Sequence, residues 1–385
     1  MKILFCHFGV YKKDGWGRTF SLAKGLAKQG DKVVLLTTNG NFSLITQSII
    51  IDKVKIIIFP EIVPKKFSSK GFGILSLVLK LGYAFFTKFD IVHSDSGHRP
   101  ASGWPCIINK FVYKSKYFAE WWDFFGKGGQ LDNKPKYFRM LLGKFESWSE
   151  INDKKKADGI IILSDYMKKR AIKLGFAEDK LKVIRGGADI ENIPQLTYLS
   201  TKEILRVDTK KLVFGYIGMS NNEVTDLSPF LKAITKFKDR ILFVTFGKEI
   251  DKKIITKYHL ENVLKEMGWI DFSKDAQKLG VVDIFILIKS DNVINNAGWP
   301  NKLGDYLACG KPILVTLYKS IEQFVKKYSD CFITCSWEIG DIEKKILKIL
   351  NNEYDLVKMG LISRKIAEEN SWDEKSKELR RFYIK

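Results

Sequence analysis

At 385 residues the chain exceeds one ordinary domain, and 45% hydrophobic with 28% charged residues, 9 Pro and 29 Gly, describes globular domains with sizeable cores, excluding a disordered or low-complexity chain. Lys and Arg number 65 against 44 Asp and Glu, a formal net charge of +21, which bears on partners rather than on fold. An anionic membrane surface or a phosphorylated substrate would answer that charge, whereas nucleic acid is set aside, because the basic residues are scattered and form no nucleic-acid-binding motif.

Short β-branched runs alternate with helical patterns from end to end, the signature of a parallel sheet covered by helices on both faces. In the first half, strands are expected at 2–6, 32–37, 55–59, 90–93, 117–121, 159–163 and 182–184. The N-terminal run reads as a strand rather than a leader, since no longer apolar core or cleavage site follows it. A helix over 18–29 is stopped by Gly30, and Ser164 is placed to cap a helix ending near Gly175.

The most apolar stretch, 72–86, contains Lys80 and is shorter than the ~20 residues that span a bilayer, so no transmembrane helix is expected. A helix apolar around its whole circumference is usually buried. Lys65, Lys66, Lys70, Lys80 and Lys88 also suit interfacial docking on anionic lipid, and both readings stay open here.

A second series of strands is expected at 212–217, 241–246, 263–267, 282–288, 313–316 and 331–334, with the aperiodic stretch 189–209 as the interdomain connection. The fold expected is α/β: two tandem Rossmann-like doubly wound domains, 1–188 and 189–370, facing across a cleft that holds the ligand. The five cysteines (Cys6, Cys106, Cys309, Cys331, Cys335) are odd in number and lie mostly in apolar runs, which fits reduced thiols in the cytoplasm. No second ligand pair accompanies Cys331 and Cys335, so no zinc or other metal site is expected.

Three regions carry chemistry. Gly15-Trp16-Gly17 after the first strand begins like a dinucleotide fingerprint, but Phe20 occupies the third glycine position and Thr37-Thr38-Asn39 offers no ribose-binding carboxylate. No nicotinamide or flavin cofactor is therefore expected. Gly15 and Gly17 make either a plain turn or a loop whose backbone N–H groups approach a substrate or phosphate oxygen.

The second region is Gly298 to Pro312. Asn301 is placed as N-cap of a helix over 302–309, with Gly310 and Pro312 ending it. A helix start at the carboxyl end of a strand suits phosphate, Lys302 adds a positive charge, and Asp305 can accept hydrogen bonds from two adjacent ribose hydroxyls. A solvated helix pair is the alternative for Lys302 and Asp305.

At this point the sequence resembles a known family. Pro300-Asn301-Lys302-Leu303-Gly304-Asp305-Tyr306-Leu307-Ala308-Cys309-Gly310-Lys311-Pro312 is similar to the donor-binding helix of GT-B glycosyltransferases of the retaining family 4 group. Phe214-Gly215-Tyr216-Ile217-Gly218 resembles the first strand and turn of that family's C-terminal domain, and Gly268-Trp269 its base-binding turn. Lys156-Ala157-Asp158 to Ser164 and Val183 to Asp189 resemble the end of its N-terminal domain. Ser371-Trp372-Asp373 resembles the opening of a last helix, 371–385, that crosses back to the first domain.

The resemblance implies a nucleotide-sugar donor and a sugar, glycolipid or glycan acceptor. The positive charge and the lysines of 65–88 add an anionic membrane as a candidate partner, and the cysteines a cytoplasmic place, peripheral to the inner face of the membrane if those lysines dock. Donor contacts are expected from Gly218, Lys248, Trp269, Gly298, Asn301, Lys302 and Asp305. Two departures stand out. Many relatives carry two glutamates eight residues apart, where this chain has Ala297 and Asp305, and Met219-Ser220-Asn221-Asn222-Glu223 lacks the basic pair that binds diphosphate. Lys248, Lys302 or Arg185 would have to replace it.

The third region follows two later strands of the first half: His93-Ser94-Asp95-Ser96-Gly97-His98-Arg99 and Glu120-Trp121-Trp122-Asp123. The family's frequent histidine is absent near Trp122, which leaves Asp95, His98, Glu120 and Asp123 as polar groups for the acceptor hydroxyl. Phe124-Phe125-Gly126-Lys127-Gly128-Gly129 either extends that site, with aromatic faces for sugar and Lys127 for an acceptor phosphate, or is a surface loop. A binding module without turnover and a nucleotide-sugar epimerase are the competing readings.

Overall fold

The computed structural model describes residues 1–13, 15–96, 98–196, 205, 210–218 and 227–385. They form two compact units, 1–186 with 297–299 and 372–385, and 187–296 with 300–371.

The first unit is built on an eight-stranded sheet. Its strands are β1 (Lys2–Val10), β2 (Lys32–Thr38), β3 (Gln47–Ile51), β4 (Val54–Phe59), β5 (Ile91–Ser94), β6 (Lys116–Trp121), β7 (Gly159–Ile162) and β8 (Leu181–Val183), in the order β3-β4-β2-β1-β5-β6-β7-β8. All pairs are parallel except β3 with β4. The sequence pattern missed β3, a largely exposed edge strand whose apolar run, Ile49 to Ile51, is only three residues long and ends directly in the turn. Asp52 and Lys53, at φ 50° and 65°, turn β3 into β4 with the left-handed geometry that two-residue hairpins need.

Alternation along β1 loads both faces of this sheet. Ile3 and Phe5 pack with Leu22 and Leu26 of α1 (Trp16–Lys28) and with Leu379 and Tyr383 of the C-terminal helix Trp372–Ile384. Leu4 and Cys6 face the other way, toward Ala84, Cys106 and Met167. Those residues belong to α3 (Ile74–Phe86), which follows the short α2 (Lys65–Ser68), to α4 (Pro100–Tyr113) and to α6 (Asp165–Lys173); α5 (Lys136–Lys155) adds Ile151 on this side. Ser164 caps α6 as expected, accepting the N–H of Met167 at 3.2 Å.

The stretch expected to be an all-round apolar helix is α3, and it is not simply buried. Ser76, Lys80 and Ala84 point inward while Ile74, Val78, Phe85 and Phe86 are exposed. Among the described residues no helix is long and apolar enough to cross a membrane.

The second unit has six parallel strands, β9 (Leu212–Gly218), β10 (Ile241–Gly247), β11 (Leu264–Glu266), β12 (Ile284–Leu287), β13 (Ile313–Thr316) and β14 (Phe332–Cys335), in the order β11-β10-β9-β12-β13-β14. One face packs Phe214, Phe230, Phe243 and Ile346; on the other, Tyr306 of the helix Lys302–Ala308 stacks on Phe285 at 4.2 Å. Both sheets reverse strand order beside their first strand, at β1/β5 and at β9/β12, the places where an open α/β sheet leaves a crevice at its carboxyl edge. The doubly wound α/β class expected from the sequence is the one observed.

Candidate functional site

In the second unit three glycines bring strand ends together. Gly218 ends β9 at φ 119°, Gly247 ends β10 at φ 134°, and Gly247 N–H donates to the Gly268 carbonyl at 2.7 Å. A Cβ on Gly247 would overlap the Gly218 carbonyl, so no other residue fits this approach. Lys248 and Trp269 follow directly, and both are exposed, Trp269 to 75%. The turn 219–223 lies outside the described residues.

Lys302 closes on the same strand end. Its Nζ donates to the Tyr216 hydroxyl at 2.6 Å, lies 3.9 Å above the Tyr216 ring centroid, and is 3.0 Å from where a Gly218 Cβ would stand. Burial, with the like charge of Lys289, holds this ammonium well below its usual pKa, against the pull of Asp305. One turn further, burial and then the Asp189 charge push the Asp305 carboxyl up to about 7, Lys302 opposing them. Burial thus disfavours the ionised form of both groups.

Asn301 does not cap the helix as expected. It has helical dihedrals (φ −55°, ψ −34°) and makes no side-chain cap bond, because the chain already turns from Pro300, whose carbonyl accepts the N–H of Leu303 at 2.9 Å. Gly298 falls within the first unit, facing the Asp123 carboxylate and the Trp122 carbonyl, and is not grouped with Lys302.

In the first unit the four polar candidates divide. Asp95 is fully buried at the β1/β5 crevice and engaged on both oxygens. Oδ2 pairs with His7 Nδ1 and accepts from Thr19 Oγ1 at 2.9 Å; Oδ1 accepts from the Phe8 N–H at 3.0 Å and from Ser102 Oγ at 3.1 Å. Glu120 is likewise buried in a two-pronged pair with Arg18, whose Nε and Nη2 donate at 3.0 and 2.9 Å, and also accepts from Trp122 Nε1. Burial alone would raise the Glu120 carboxyl, but Arg18 and then His93 outweigh it and hold it at about 2. Neither group presents the open carboxylate that the sequence suggested for an acceptor hydroxyl.

His98 is buried too, stacked on Phe125 at 3.7 Å with Nδ1 bonded to Ser96 Oγ at 2.8 Å. Burial, then Arg99 and Lys154, lower its pKa well below 6.5, so the ring is neutral. Asp123 alone of the four is only half-buried.

The glycine pair also divides. Gly15, at φ 89°, leaves no room for a Cβ beside the Trp122 ring, whereas Gly17 lies within α1 and faces open space. Gly17 is therefore not part of a glycine loop. The Phe124–Gly129 segment is tied down: the Gly126 N–H donates to Glu150 at 2.7 Å and the Arg170 guanidinium lies 3.6 Å over the Phe124 ring. Its aromatics are occupied by protein contacts, which leaves the exposed Lys127 as its open feature.

Sequence reasoning passed over Arg18, Tyr216, Lys289 and Asp189. Arg18 had a faint signal, standing directly after Gly17; Tyr216 and Asp189 lay in stretches that resemble the family without a role assigned to them, and nothing local marked Lys289.

Residues 18–192 match the family described as Glycosyltransferase Family 4. A comparison with curated proteins finds no match. Among solved structures, a sucrose-phosphate synthase from Thermosynechococcus elongatus is similar with a TM-score of 0.76 at 11% identity, covering 100% of this chain and 98% of the other. A glycosyltransferase from Rickettsia africae gives 0.70 at 15% identity over 99% and 97%. Anabaena HepE in complex with UDP-glucose gives 0.68 at 14% identity over 99% and 98%. With its two doubly wound sheets, this chain has the GT-B fold and carries over residues 18–192 the Glycosyltransferase Family 4 match.

Proposed function

We propose that the chain transfers a hexose-like sugar from a UDP- or GDP-sugar to an acceptor hydroxyl, with retention, in glycan or glycolipid biosynthesis. The observation that carries this reading is Lys302, clasped by the Tyr216 hydroxyl and ring beside Gly218 at the carboxyl edge of β9. An ammonium so placed, and weakened by burial, gains most from the arrival of a diphosphate. Asp305 would accept from the ribose hydroxyls, Trp269 would stack on the base, and Lys248 would replace the missing basic pair. Asn301 would add a backbone contact to the donor. Lysines and backbone N–H groups meet the leaving diphosphate's charge, so this reading routes no step through a metal.

On the acceptor side, Asp123 is the carboxylate to orient the hydroxyl, with Gly15 and Lys127 beside the acceptor or its phosphate. Asp95, Glu120 and His98 act by holding the strand ends in place. Five buried, unpaired cysteines fit a reducing compartment, so we place the reaction in the cytoplasm.

UDP-glucose, the ligand named with Anabaena HepE, is the first donor to test. Calorimetry with UDP, GDP, uridine and guanosine should show a diphosphate bound far more tightly than its nucleoside; equal affinities would sink the donor reading. A second reading, a binding module without turnover, is favoured by Ala297, which stands where relatives carry a glutamate, and by the internal engagement of Asp95 and Glu120. Binding of UDP-glucose with neither hydrolysis nor transfer across an acceptor panel would establish it over the enzyme.

A further inference from the structure

The helix α3 packs Leu79, Tyr83 and Ala84 on the core, yet its outer face is apolar as well. Its inward face carries Ser76, whose hydroxyl donates to Glu61 at 2.7 Å, and Lys80, whose Nζ donates to the His7 carbonyl at 2.8 Å. Its outward face carries Ile74, Val78 and Phe85, one to two turns apart, and Phe86 beyond them is 81% exposed. A globular surface helix normally carries polar residues on its outer face. The neighbouring helix α4 packs against α3, with the Tyr113 hydroxyl bonded to the Phe85 carbonyl at 2.8 Å, and exposes Phe111 to 77%.

Charge is arranged around this apolar strip with one sign. No Asp or Glu occurs between Glu61 and Asp90, or between Asp95 and Glu120. Lys65, Lys66 and Lys70 precede α3, and Lys88 follows it. At the far end of α4 a cavity of about 720 Å³ has Ile107 and Phe111 in its wall and Lys110, Lys114, Lys155 and Lys156 around it. One carboxylate, Asp158, joins them, paired with Lys110 at 2.6 Å.

We propose that the outer face of α3 and α4 docks on an anionic lipid bilayer, its apolar side chains entering the acyl boundary while the flanking lysines, those of the cavity included, meet lipid phosphates. Apolar burial and phosphate attraction then act on one surface, the two contributions that hold an interfacial helix. The charge pattern selects this occupant: a second copy of the chain would bring like-charged lysines against these. Docking is independent of sugar transfer, and a chain that docked without transferring anything would still satisfy it.

The test is sedimentation of the full chain with vesicles of phosphatidylcholine alone and with about one-third phosphatidylglycerol. Binding is expected only to the anionic vesicles. The pair Val78→Glu with Phe86→Glu, and separately Lys88→Glu with Lys114→Glu, should each weaken it at least about tenfold. Val357→Glu, at an exposed position of the second unit, should leave it unchanged. Amide hydrogen exchange on the unaltered chain gives a readout that no misfolded variant can confuse: anionic vesicles should slow exchange in α3 and α4. No binding to anionic vesicles, equal binding by the apolar pair, or a sedimentation mass of a dimer that Val78→Glu with Phe86→Glu reduces to a monomer would each overturn the proposal.

Discussion

One buried ion pair and two single charged groups define the residue scale. Arg18 and Glu120 neutralise one another out of water, so removing one partner leaves a charge with nothing to solvate it. Arg18→Met should cost about 3–5 kcal/mol in urea unfolding, and adding Glu120→Leu to the same chain should recover much of that loss. Asp305 behaves oppositely. Its folded carboxyl keeps a proton up to about pH 7, while the unfolded one releases it near 3.8. The folded state therefore binds more protons in that window, and this group's stabilisation, full at low pH, is lost as pH rises through about 7. Asp305→Asn should make the chain relatively more stable at pH 8 than at pH 4, as read by melting temperatures across the range. Lys302→Ala should weaken UDP by about 2 kcal/mol, some thirtyfold in Kd, and leave uridine little affected. An equal loss for the nucleoside would remove Lys302 from the diphosphate.

At the scale of elements, the start of α1 shows how little a glycine reveals by itself. Gly15 and Gly17 look equivalent in the sequence. Only Gly15 is left-handed and pressed against Trp122, while Gly17 is an ordinary helical position facing open space. Gly17→Ala should therefore stabilise the chain by up to about 1 kcal/mol, and Gly15→Ala should destabilise it, both measured by chemical unfolding. Strands buried on both faces were legible because continuous apolar runs such as Val33 to Leu36 need no distant information. The hairpin strand β3 was not, being largely exposed with a short apolar run, and the Asn301 cap failed because the turn had begun one residue earlier.

For the molecule as a whole, the net charge of +21 favours the approach of anions. The association rate of UDP in stopped-flow mixing should fall as salt rises, whereas that of uridine should not. The sequence by itself determined the alternation of strands and helices, the two doubly wound sheets and the motif around Lys302, since periodicity, capping glycines and turn residues act over a few positions. Only tertiary structure decided what the charged groups do, because their partners are remote. Arg18 meets Glu120 across 102 residues, His7 meets Asp95 across 88, and Lys302 meets Tyr216 across 86. A carboxylate in a sequence can be an open acid or half of a buried pair, and the difference lies in which side chain the fold brings beside it.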